Sequence, residues 1–462
     1  MTQALPDGVL LAFYGDDFTG STDAMEVTAR AGLRTILFTR RPEQQDLDRF
    51  SDYQVIGVAG TARAQGPDWM AQNLPETFAA LASLKPKVLQ YKVCSTFDSS
   101  PETGSIGRAA ELGAQAVPAG WLPAIVGAPQ LGRWQVFGNL FATAAGVQYR
   151  IDRHPTMSRH PVTPMKEADL RQHIALQTSL PVMGIDLGDM MRGQTAERIA
   201  EAKAKGAITF IDVAEEASQA EAGRMIWENS DETVFSPASS GLQYALVAHW
   251  RAAGMIPGEP PGFETHKPVD RLLVVSGSCS PVTADQIARA EAAGFVSIRL
   301  DVCRVARPDQ AEAEVARVLA EIETAFETHR AALVFAAKTV DDPDYEALSR
   351  MAKDEGIPLS HAQDAIGKAL GALALKAVPQ FRLSRLVVAG GDTSGRVLEA
   401  LPVTALELKH PLSPGAPICL CHVDDPVFEG LEVVLKGGQL GSPDLFLRAL
   451  DPDAREASAG VQ

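Results

Sequence analysis

Short runs of consecutive apolar residues, each closed by small and polar ones, recur along the whole chain. Leu10–Tyr14, Arg34–Thr39, Gln54–Ala59 and Lys87–Val93 read as strands buried on both faces, because their apolar positions follow no helical spacing. Helical patterns lie between them, from about Thr22 to Ala31 and around Trp69–Leu84, and Ala124–Gly127 and Ile208–Val213 extend the strand series. Asp152–Met165, with three prolines and two histidines, reads as an ordered but irregular loop. The periodicity then lapses over Ala252–Pro268, rich in Pro, Gly and polar residues, as an interdomain linker would be.

Beyond this segment a second series begins. Leu272–Ser276, Val296–Leu300, Ala332–Phe335 and Leu386–Ala389 are strand runs, and Ala284–Ala293, Gln310–His329 and Asp364–Val378 are helical. Ile418–Cys421 and Glu432–Lys436 suggest an antiparallel finish, and the last dozen residues a frayed tail. The expectation is an α/β protein of two lobes, each a largely parallel, helix-covered sheet, with the active site in the interlobe cleft. The boundaries implied are 1–251, a linker 252–268, and 269–462.

Composition narrows the partners. The net charge of -16 argues against nucleic acid or an anionic membrane as the main partner, but not against a small anion in a locally positive pocket. Five cysteines without CxxC spacing suggest reduced thiols. The first apolar run has no basic segment before it, and no run approaches the ~20 residues that span a bilayer. A cytoplasmic location is expected.

The chemistry gathers where strands end. Leu10–Tyr14 runs into Gly15-Asp16-Asp17-Phe18-Thr19-Gly20-Ser21, which places two carboxylates, two hydroxyls and two glycines beyond a strand's carboxyl end. An ordinary helix start needs one capping residue, not four. Lys87–Val93 ends in a similar cluster: Lys92 with Ser95, Thr96, Asp98, Ser99 and Ser100. A lysine in an apolar strand requires a partner or a ligand; pairing with Asp16 or Asp17 would satisfy it equally well. His160-Pro161-Val162-Thr163-Pro164-Met165 is a weaker signal, since His160 serves as readily in a helix entry as in a site.

The second series carries three glycine turns: Ser276-Gly277-Ser278-Cys279-Ser280-Pro281, Gly390-Gly391-Asp392-Thr393-Ser394-Gly395, and Lys436-Gly437-Gly438-Gln439-Leu440-Gly441. Glycine turns at helix starts expose N–H groups to phosphate. None fits the Walker or dinucleotide spacing, yet three in one lobe point to a phosphate or nucleotide site. A polar acid in one lobe and a polyphosphate in the other make phosphoryl transfer the natural reaction.

In this order, GDDFTGS (15–21), YKVCSTFDSS (91–100), HPVTPM (160–165), SGSCSP (276–281), GGDTSG (390–395) and KGGQLGSPDLF (436–446) resemble the four-carbon acid sugar kinase family over nearly the whole chain. The resemblance implies ATP-dependent phosphorylation of a small anionic sugar acid (threonate, erythronate or 3-oxotetronate), an N-terminal acid-binding domain and a C-terminal nucleotide-binding domain. It assigns Asp16, Asp17, Ser21, Lys92, Ser95, Thr96 and Asp98 to the acid, with His160 beside them. Ser276, Gly277, Ser278, Gly390, Gly391, Asp392, Thr393, Gly437 and Gly438 fall to ATP. Within that assignment Asp16, Asp17 and Asp392 are the catalytic candidates: one of the first two as base, or Asp392 as base or through Mg²⁺. The metal ligands stay open. The family also admits a homodimer.

Arg133–Ser158 is more aromatic and basic than a tetronate site needs, which raises the alternative of a branched acid such as 3-oxoisoapionate. Two other readings compete: a non-catalytic sensor of sugar acid or nucleotide, and a metal-dependent phosphatase or aldolase using Asp16 and Asp17. The paired carboxylates weigh against the first and the three glycine turns against the second.

Overall fold

The structure is a computed structural model that describes residues 4–454 apart from 119, 145, 161, 260, 261, 264 and 340. The last eight residues of the expected tail, Pro161 of the HPVTPM loop and parts of the expected linker therefore lie outside the described residues. Two compact units divide the chain, Met1–Pro261 and Gly262–Gln462.

Among the described residues the first unit contains eleven strands: β1 (Leu11–Gly15), β2 (Thr35–Phe38), β3 (Val55–Ala59), β4 (Val88–Lys92), β5 (Leu122–Ala124), β6 (Arg133–Val136), β7 (Asn139–Ala144), β8 (Val147–Arg150), β9 (Val182–Ile185), β10 (Ile208–Ile211) and β11 (Val234–Ala238). Five form its main sheet in the order β11-β4-β1-β3-β2, every pair parallel. All five residues of β1, β3, β4 and β11 are buried, as helix-covered parallel strands must be. The strands expected at Ala124–Gly127 and Ile208–Val213 form as Leu122–Ala124 and Ile208–Ile211 and leave the main series: β10 pairs with both β5 and β9 in a second parallel sheet, β5-β10-β9. A third sheet, β6-β7-β8, is an antiparallel meander that occupies most of the aromatic and basic segment.

The second unit supplies β12 (Leu272–Ser276), β13 (Val296–Arg299), β14 (Ala331–Phe335), β15 (Arg385–Ala389), β16 (Val403–Ser413), β17 (Ala416–Val423) and β18 (Glu432–Lys436). The strand order is β16-β17-β18-β15-β12-β14-β13. The expected antiparallel finish holds for β16, β17 and the β17–β18 pair, but β18 is parallel to β15. The reason is that β18 belongs to the buried parallel core, where Val434 packs with Val274 and Val387.

The five parallel strands of each unit follow one plan. β1, β2, β3, β4, β11 and β12, β13, β14, β15, β18 lie in the same spatial order, fifth-fourth-first-third-second. In each, the chain leaves the first strand toward one edge and returns to the other side of it. The crevices outside the carboxyl ends of β1 and β4, and of β12 and β15, are therefore topological switch points, where open α/β sheets bind ligands.

Candidate active site

At the first switch point Gly15 ends β1 and the helix Phe18–Arg30 starts after two residues. Asp17 is its N-cap: one carboxylate oxygen accepts from Gly20 N at 2.6 Å, and its carbonyl accepts from the Ser21 hydroxyl at 2.5 Å. The turn requires its glycines. A Cβ on Gly15 would lie 1.8 Å from Ser21 Oγ, and one on Gly20 would lie 2.5 Å from Asp17 Oδ1 and 2.7 Å from Lys92 Nζ.

Arg63, just beyond β3, closes the site. Its Nη1 donates to Asp17 Oδ2 at 3.1 Å and its Nη2 to Asp98 at 2.9 and 3.0 Å. Asp98 is reached through Phe97, whose backbone is left-handed (φ 56°) although the residue is not glycine. The Thr96 hydroxyl donates to Asp98 Oδ1 at 2.5 Å and the Thr163 hydroxyl to Oδ2 at 2.9 Å; His160 Nδ1 lies 4.0 Å away. Burial alone would raise the Asp98 carboxyl, but Arg63, Thr96, His160 and Thr163 together hold it at about 2.

Asp16 is different. It is buried, and its Oδ1 has no hydrogen-bond partner. Burial first and the neighbouring Asp17 charge second push its carboxyl up to about 7, against the pull of Arg63 and Lys92. One aspartate of the pair is thus an anchor, and the other is a carboxylate left unsatisfied near neutrality.

Lys92 does not pair with Asp16 or Asp17, as one reading of the sequence anticipated. Its Nζ donates to the Val93 carbonyl at 2.9 Å and lies against Gly20, adding positive charge beneath the helix start. The other predicted acid ligands are partly engaged. Ser21 is fully buried and committed to the Asp17 carbonyl, and Thr96 serves Asp98; Ser95 is half-exposed. Sequence reading missed Arg63 and passed over Thr163. Only the order β4-β1-β3 brings the turn after β3 beside those after β1 and β4. A basic residue four positions past a buried strand was the available signal.

The antiparallel meander also reaches this region. Arg133 at the start of β6 donates to the Leu131 and Gly132 carbonyls at 3.2 and 3.0 Å, while its Nε is buried without a partner. The Cys94 side chain, in the turn after β4, lies near both Arg133 and Arg63, which places the meander near that turn.

In the second unit the three glycine turns follow β12, β15 and β18, which are neighbours in the sheet. Gly277 N donates to the Ala389 carbonyl at 3.1 Å and Gly390 N to the Lys436 carbonyl at 2.9 Å, so the turns are stitched edge to edge. Gly277 faces Thr393, where a Cβ would lie 2.3 Å from the hydroxyl, and Gly390 has φ +123°, a conformation that favours glycine. Helices start at Pro281, capped by the Ser280 hydroxyl, and at Gly391. Ser276, Ser278 and Thr393 are buried, and Asp392 is exposed in the first helical turn. Two helix starts and three glycine turns thus lie together at the carboxyl ends of adjacent strands, an arrangement whose backbone N–H groups can receive an anion. Among the described residues no three His, Cys, Asp or Glu side chains gather as a cation site.

Relatives give these two sites names. A sugar-binding N-terminal domain family matches residues 11–246, and a nucleotide-binding C-terminal domain family matches residues 273–446. The chain is 46% identical to a 3-oxo-isoapionate kinase of Paraburkholderia graminis over 96% of its own length and 94% of that protein's. It is 31% identical to a 3-oxo-tetronate kinase of Methylobacterium radiotolerans over 96% and 98% of the two chains. In fold it resembles the Haemophilus influenzae protein HI1011, of family DUF1537, with a TM-score of 0.68, 21% identity and coverage of 95% and 98%. A Salmonella typhimurium protein described as a putative tRNA synthase gives a TM-score of 0.73 at 21% identity and the same coverage, 95% and 98%.

Proposed function

This chain belongs to the four-carbon acid sugar kinase family and is a sugar-acid kinase; from that premise we propose that its substrate is a branched 3-oxo acid like the one named for its Paraburkholderia graminis relative. The 46% identity with that kinase along nearly the whole chain carries the reading. The meander supports it, because it puts a second guanidinium, Arg133, near the turn after β4, with a buried Nε still able to donate.

The domains are assigned as 1–251 for the acid and 269–462 for ATP, with 252–268 between them. Arg63, Lys92 and the helix start at Phe18 make the first site positive, and the half-exposed Ser95 supplies a hydroxyl for the substrate carboxylate, while the Thr96 hydroxyl stays on Asp98. Asp17 and Asp98 fix Arg63 in place. Asp16, with an oxygen to spare, receives the proton of the attacked hydroxyl as the phosphoryl group transfers. The turns at Ser276–Ser278, Gly390–Thr393 and Gly437–Gly438 receive the ATP phosphates through backbone N–H groups.

Mg²⁺ characteristically binds through one or two carboxylates and substrate phosphates, and the exposed Asp392 beside Gly391 suits that role. When bound, the ion would neutralise charge on the transferring phosphoryl group. A cytoplasmic location accords with five cysteines that form no disulfide among the described residues. Among the described residues no helix is long and apolar enough to cross a membrane.

The test is ADP release with ATP and Mg²⁺ over a panel of acids: both configurations of threonate and erythronate, their 3-oxo forms, and 3-oxoisoapionate. We expect kcat/KM for the branched 3-oxo acid to exceed that for 3-oxotetronate by at least about tenfold, the scale of one extra pocket contact. The reverse order would return the chain to the four-carbon substrates.

A further inference from the structure

Below the third glycine turn lies a charge that phosphate binding through backbone N–H groups does not use. Lys436 ends β18 with no exposed surface. Its Nζ donates to Thr283 Oγ1 at 2.6 Å, Gln286 Oε1 at 2.7 Å and the Gly438 carbonyl at 3.3 Å. Thr283 lies 3.0 Å from the Ser278 hydroxyl and donates to the Gly438 carbonyl at 3.1 Å, while Gln286 donates to the Leu440 and Ser442 carbonyls at 3.3 and 2.9 Å. A single amine therefore ties the helix Pro281–Ala292 to the third glycine turn, and Thr283 carries the link on to Ser278 of the first.

We propose that Lys436 is a positioning residue of the nucleotide site and that nucleotide binding takes up a proton on its amine. The proposal rests on the nucleotide reading of the three turns. All three oxygens are neutral, and an uncharged amine, with two N–H groups, serves the two near ones on Thr283 and Gln286, while the third at 3.3 Å is met only by the ammonium form. The charged groups on the elements around it are engaged elsewhere or exposed. Asp285 pairs with Arg289 and Glu291 with Lys338; Arg385 pairs with Glu432 at the far end of the strands, Arg396 with Glu399, and Asp392 is exposed. Burial, the sole cause acting on it, lowers the amine to about 7 in the empty protein. Phosphate seated on the Gly437–Gly438 turn would add negative charge beside the amine and favour its ammonium form.

The sign follows. A ligand that raises a group's pKa binds more tightly where the proton is available, so nucleotide affinity falls as pH rises above about 7, by at most about tenfold per pH unit. At about pH 8 roughly nine-tenths of the empty sites would lack the proton and would gain it on binding.

The experiment is ADP calorimetry on the full chain near pH 8 in two buffers of different ionisation enthalpy, repeated across the neutral to alkaline range. Wild type should take up most of one proton more than Lys436→Met does; protonation of ADP's own phosphate is common to both. Gln286→Glu is isosteric and sets a carboxylate against the amine, at the loss of the two amide donations to the Leu440 and Ser442 carbonyls, so the empty site is already charged and both the uptake and the affinity slope should vanish. Melting temperature, together with acid binding by the first unit, checks that each variant is folded. Uptake in wild type no greater than in Lys436→Met, or unchanged in a folded Gln286→Glu, would overturn the proposal and leave the kinase reading intact. No ADP binding by wild type at any pH would instead remove the nucleotide assignment of the turns.

Discussion

Arg63 grips Asp98 through one guanidinium nitrogen, 2.9 and 3.0 Å from its two carboxylate oxygens, while the other terminal nitrogen reaches Asp17 at 3.1 Å. Three turns that are distant in sequence are thereby fixed by one side chain.

Removing that side chain should therefore do more than lower affinity. Arg63→Ala leaves the fully buried Asp98 side chain unpaired, and we expect a loss of about 3–5 kcal/mol in stability together with acid binding too weak to measure. Arg63→Lys keeps the charge but not the fork, and should retain the fold with acid affinity reduced by at least about tenfold. Thermal unfolding and acid calorimetry read the two effects, and ADP affinity should move in neither variant that remains folded.

Asp98 also predicts acid lability. Its folded value of about 2 lies below the ordinary 3.8, so its contribution is complete above the unfolded value and is lost as pH falls through the folded one. The stability gap between wild type and Asp98→Asn should be constant above about pH 5 and shrink by about 2 kcal/mol toward pH 2. Chemical denaturation over that range measures it.

Asp16 has the opposite sign. Its carboxyl is raised from 3.8 to about 7, so burial costs nothing below the unfolded value and destabilises progressively as pH rises through the folded one. Asp16→Asn should gain stability relative to wild type as pH rises, by up to about 4 kcal/mol above pH 7, with little difference below pH 4. The same variant should lose about 10²–10⁴ in kcat while still binding acid. Denaturation midpoints and single-turnover phosphorylation test both halves.

Gly390 tests the nucleotide site. Its φ of +123° and the Thr393 hydroxyl, 2.9 Å from the position of an added Cβ, make Gly390→Ala strained, at a cost of about 1–3 kcal/mol. ADP affinity should fall by at least about tenfold, with acid affinity unchanged in the same calorimeter. Full ADP affinity in Gly390→Ala would place the phosphates elsewhere.

Local chemistry is what the sequence could declare. The turn Gly15–Ser21, the cluster Lys92–Ser100 and the three glycine turns each lie within one short stretch. Glycine, hydroxyl and carboxylate in a row after an apolar run carry their meaning without tertiary contacts. The buried parallel strands were equally legible, because a strand covered on both faces is apolar without alternation. The meander β6–β8 was not, since its strands are short and partly exposed and its aromatic residues suggested a pocket wall before they suggested a sheet. The helix Pro343–Asp354 escaped for a similar reason, since few of its residues are buried, and the strand Val403–Ser413 escaped because Glu407, Lys409, His410 and Pro411 break its apolar run although most of it is covered.

Sequence by itself thus determined most of the residues that could do chemistry, though not Arg63, together with the two-part α/β plan and the kinase family. Tertiary structure decided how the work is divided among them. Sheet order brings Arg63 beside Asp17 and Asp98, leaves Asp16 with an unsatisfied oxygen, turns Lys92 toward the helix start, and buries Lys436 among neutral oxygens. These assignments depend on which strands are neighbours and on how much water reaches each charge. Both are properties of long-range packing, and no local run of residues carries them.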